Sequence, residues 1–128
     1  MKIFIGEPPE DGNVDQEVNI QVDEWDTWAL DYTLAQIIVP SLIKFRDTMR
    51  CYPESFVSLA NLHSMKSDEE WSEEDNEESM DAWRSTIDSM IWSFKEILKD
   101  ESLRSEETDK KIQYGLDLFG KYYTHLWD

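Results

Sequence analysis

The stretch "MDAWRSTIDSMIWSFKEILKD", Met80–Asp100, decides the fold. Trp83, Ile87, Ile91, Phe94 and Leu98 step by four, four, three and four. That spacing is the face of an amphipathic helix packed on a core, and it predicts a helix over 82–100. Trp92 lies off this stripe, with Asp88, Lys95 and Lys99. It reads either as covered by a second layer or as an exposed anchor, and tryptophan is enriched among interface hot spots.

Downstream, a second helix is expected over 107–127. It carries Ile112, Leu116, Phe119, Tyr123 and Leu126 on one face, while Tyr114, Leu118 and Tyr122 mark another. That second face is either buried or a homodimer seam. Gly115 and Gly120 weaken this helix, so both suggest close approach of another backbone. Upstream, "TWALDYTLAQIIVPSLIKFRDTM" is apolar almost throughout from Leu30 to Phe45. It reads as a central helix over 26–50, buried nearly all round and kinked or split at Pro40. "KIFI" and the alternating "VNIQV" flank the turn-rich "GEPPEDGN", which predicts an antiparallel hairpin over 1–25. Two strands alone are marginal, so the hairpin is expected to lie on helices. The class is α+β and mostly helical: an N-terminal two-stranded β-hairpin on a three-helix core, one domain of 128 residues.

The net charge is −17, and it is clustered. Residues 1–26 hold eight acids and one base, and residues 68–81 hold nine acids and no base, whereas 27–67 and 82–128 are close to balanced. Such a chain disfavours direct nucleic-acid binding and anionic membranes. It favours a protein partner with a basic surface. The single cysteine, Cys51, excludes an internal disulfide and fits a reducing cytoplasm. The N-terminus does not read as a signal peptide, and no apolar run is long enough to span a bilayer.

Three segments together resemble a family of small tailed-bacteriophage proteins: "DTWALDYTLAQIIVPSLIK" (Asp26–Lys44), "MIWSFKEI" (Met90–Ile97) and "IQYGLDLFGKYYTHLWD" (Ile112–Asp128). They cover about half the chain, and the region Arg50–Asp81 departs from the family pattern. The resemblance implies phage origin and action in the cytoplasm of an infected bacterium. It implies no particular activity.

The connection 51–81 is expected to be irregular and to end in "DEEWSEEDNEESMD", Asp68–Asp81. Its candidate partner-binding residues are Asp68, Glu69, Glu70, Trp71, Glu73, Glu74, Asp75, Glu77, Glu78 and Asp81, joined by Trp92. If the block is helical, Glu69, Glu73, Glu77 and Asp81 form one row, and Glu70, Glu74 and Glu78 a second. The axial step of about 6 Å is of the order of the phosphate spacing along DNA, roughly 3.4 Å per strand. Such rows can imitate nucleic-acid charge before a basic cleft. Against this, acid runs are ordinary solvated linkers and are favoured at a helix N-terminus.

Chemistry is weakly signalled. Cys51, His63 and His125 form no nucleophile signature, and the two histidines and one cysteine make no zinc spacing. Glu70/Glu73, Glu74/Glu77, Glu78/Asp81 and Glu106/Asp109 have a carboxylate spacing suited to Mg²⁺, but so dense a run generates such pairs by composition alone. Asp31, if buried, needs a donor. Lys44, Arg46, Arg50 and Lys66 could line an anion pocket. No catalytic residue, metal ligand or cofactor is assigned. The leading expectation is a phage-encoded acidic protein that binds a host protein and inhibits or redirects it. The alternatives are a small Mg-dependent nucleotide-acting or nucleotide-binding protein, and a structural homo-oligomer.

Overall fold

A computed structural model describes residues 1–12, 15–56 and 73–128, the side chains of residues 73–75 excepted. The architecture is α+β and mostly helical, with a two-stranded antiparallel hairpin at the N-terminus and several helices packed together. The chain divides into two compact units, Met1–Leu34 and Ala35–Asp128.

In the first unit, β1 (Lys2–Ile5) pairs with β2 (Val18–Gln21). The register sets Ile3 opposite Ile20 and Ile5 opposite Val18. Side chains alternate across a strand, so these four share one face, while Lys2, Phe4, Asn19 and Gln21 share the other. In the connection between the strands, Gly12 adopts a φ of 78°, a left-handed conformation that glycine takes without a Cβ clash. A 3₁₀ turn, Glu24–Thr27, follows. Asp26 ties it down by accepting the Asp23 N–H at 2.8 Å and facing the Met1 ammonium at 2.8 Å. Both interactions hold the Asp26 carboxyl below the usual carboxylate range, the ammonium contributing most.

Helix α1 (Leu30–Thr48) begins in the first unit and runs uninterrupted through Pro40. It is therefore one helix. The expectation of burial all round is corrected: Ala35, Val39 and Leu42 form a single buried stripe, while Leu30, Tyr32 and Leu34 are exposed. Asp31 is exposed as well, so it needs no buried donor.

In the second unit, α2 (Glu73–Ile97) is 25 residues long. It starts nine positions before the expected boundary, because carboxylates are favoured in the first turn of a helix and because Ser79, Met80 and Trp83 already pack inward. Trp83, Ile87, Ile91 and Phe94 are buried as the spacing predicts, Met90 is buried beside them, and Leu98, the last residue of the predicted stripe, is only partly buried. Ser105 caps α3 (Glu106–Tyr122) by accepting the Thr108 N–H at 3.1 Å, and Glu106, Glu107 and Asp109 occupy the first turn. The core at one end of this unit is aromatic. Trp83 meets Phe56 at 5.3 Å and Tyr122 at 5.5 Å between ring centroids, in edge-on geometry. Tyr122 is buried and Tyr123 exposed, so Tyr122, not Tyr123, is the core residue, and α3 gives way to a 3₁₀ turn at Tyr123–His125. Among the described residues, no helix is long and apolar enough to cross a membrane.

Candidate functional site

Helix α2 carries the candidate site along one side. Its helical backbone begins at Glu73, so positions 73, 77 and 81 follow one another turn by turn, and 74 and 78 run beside them. The second half of the acidic block is therefore helical. Glu77, Glu78 and Asp81 are exposed. Asp81 is bridged by Arg84 at 3.0 Å, one turn on, whereas Glu77 and Glu78 form no salt bridge among the described residues. Asp68, Glu69, Glu70 and Trp71 lie outside the described residues, as do the side chains of Glu73, Glu74 and Asp75.

The same side of α2 continues through Asp88 to Trp92. Arg46 of α1 reaches Asp88 at 2.9 Å and its neighbour Asp47 at 3.0 Å. These two carboxylates, Asp88 first, hold the guanidinium above its ordinary pKa. Arg46 is thus engaged in structural pairing. Lys44 is exposed, the Arg50 side chain is largely exposed beside Asp128, and Lys66 lies outside the described residues, so the described members gather no anion pocket.

Trp92 is half-buried in a cleft of about 220 Å³ lined also by Asp88, Ser89, Lys111 and Tyr114. The Lys111 ammonium sits 4.2 Å from the centre of the Trp92 ring, a cation–π contact. Gly115 sets this geometry. A Cβ at that position would fall on Ser93 Oγ and within 2.6 Å of the Ser89 carbonyl oxygen, so only glycine lets α2 and α3 approach this closely. The close approach brings Lys111 and Tyr114, within one turn of Gly115, against Trp92. Sequence reasoning identified Trp92 and Gly115 but missed Lys111. The available signal was its position, one turn before a glycine already expected at a helix crossing.

Cys51 and His125 line one small cavity of about 30 Å³ with Tyr52, Pro53 and Trp127. Their described bonds do not join them. The Cys51 N–H donates to Asp128 Oδ1 at 2.8 Å, and His125 Nδ1 lies 3.4 Å from Thr124 Oγ1. Asp128 also accepts the Arg50 N–H at 2.7 Å, and that bond leads those holding its carboxyl below the usual range. The arrangement fastens the end of the chain to the end of α1 and aligns no nucleophile with a base. His63 lies outside the described residues. Among the described residues, no group of three or more His, Cys, Asp or Glu side chains is placed to hold a metal ion. Glu78 and Asp81, like Glu106 and Asp109, are exposed pairs on helix surfaces.

Comparison of the chain with protein-family models, with curated proteins and with solved structures finds no match.

Proposed function

We propose that this chain is a phage-encoded acidic binding protein that inhibits or redirects a host factor by engaging a basic surface on it. The observation that carries this reading is the start of α2 at Glu73, which turns half of the acidic block into ordered helix. On a helix, carboxylates at positions 73, 77 and 81 recur about every 6 Å, a spacing that a basic cleft built for phosphates can accept. The row leads along the same side to Trp92, a residue type that often anchors interfaces. The phage origin rests on the resemblance of Asp26–Lys44, Met90–Ile97 and Ile112–Asp128 to the phage family, and the infected host's cytoplasm follows from it.

Affinity capture from bacterial lysate tests the proposal. Wild type is compared with a variant carrying Gln at Glu69, Glu70, Glu73, Glu74, Glu77 and Glu78. A basic host protein retained by wild type, lost by the variant and weakened by added salt is the expected result. Equal capture by both proteins removes the acidic rows from the interface.

A further inference from the structure

We draw no further inference here: the strongest candidate, the cleft between α2 and α3 lined by Asp88, Ser89, Trp92, Lys111 and Tyr114, belongs to the site already described, and with the opposed charges of Asp88 and Lys111 on its walls nothing in the structure shows what fills it.

Discussion

Gly115 and Gly120 look alike in the sequence, since each interrupts a helical pattern. The structure separates them. Gly115 lies where α2 and α3 touch, and an added Cβ there meets Ser93 and Ser89; at Gly120 it meets nothing within 4 Å. Gly115→Ala is expected to destabilise the protein by about 1–3 kcal/mol through overpacking. Gly120→Ala is expected to be neutral or to add up to about 1 kcal/mol of helix preference. Urea unfolding of the two variants checks both signs. Helical periodicity showed where glycines fell but not which one faced another backbone. Asp128 was equally opaque, because its partners Arg50 and Cys51 lie 78 and 77 positions away. Its carboxyl is held below the ordinary value by accepting those two N–H groups, Arg50's first. A depressed carboxyl stabilises the fold above its unfolded value of about 3.9, and that contribution fades as pH falls from there through the lower folded value. Melting temperatures of wild type and Asp128→Asn should therefore differ at neutral pH and converge in strong acid. A gap that persists unchanged in strong acid would count against the charged form's role.

At the scale of elements, the stripe from Trp83 to Phe94 was legible because four- and three-residue steps leave no other regular structure. The start of α2 was not, because a run of carboxylates suits both a solvated linker and a helix N-terminus. Packing by Ser79, Met80 and Trp83, invisible in composition, favours the helix. Helix α1 misled in the opposite direction. Its residues are apolar almost throughout, yet only Ala35, Val39 and Leu42 are buried along it. Composition reports what a side chain prefers and not whether anything covers it. The Trp92 cleft needed both helices at once: the tryptophan stands on α2, while Lys111 and Tyr114 arrive on α3. Lys111→Ala should cost about 0.5–1 kcal/mol and shift the fluorescence emission of Trp92 to the red as its ring is uncovered. Single-tryptophan variants retaining Trp92 isolate that signal, and an unshifted emission would show that the ammonium does not shield the ring. The cap of α3 gives a further check. Ser105→Ala removes the acceptor of the Thr108 N–H and should cost about 1 kcal/mol, read from thermal unfolding.

For the whole molecule, the charge of −17 makes the proposed contact with a basic partner sensitive to salt. A basic partner is drawn toward the acidic rows, so added salt screens that attraction and weakens binding. The variant neutralised at Glu69, Glu70, Glu73, Glu74, Glu77 and Glu78 loses six negative charges and should abolish partner capture. Capture by wild type and by this variant, at low and at moderate salt, checks both expectations: wild-type capture should weaken as salt rises, and the variant should retain little at either concentration. If salt left wild-type capture unchanged, the carboxylate rows would no longer account for binding.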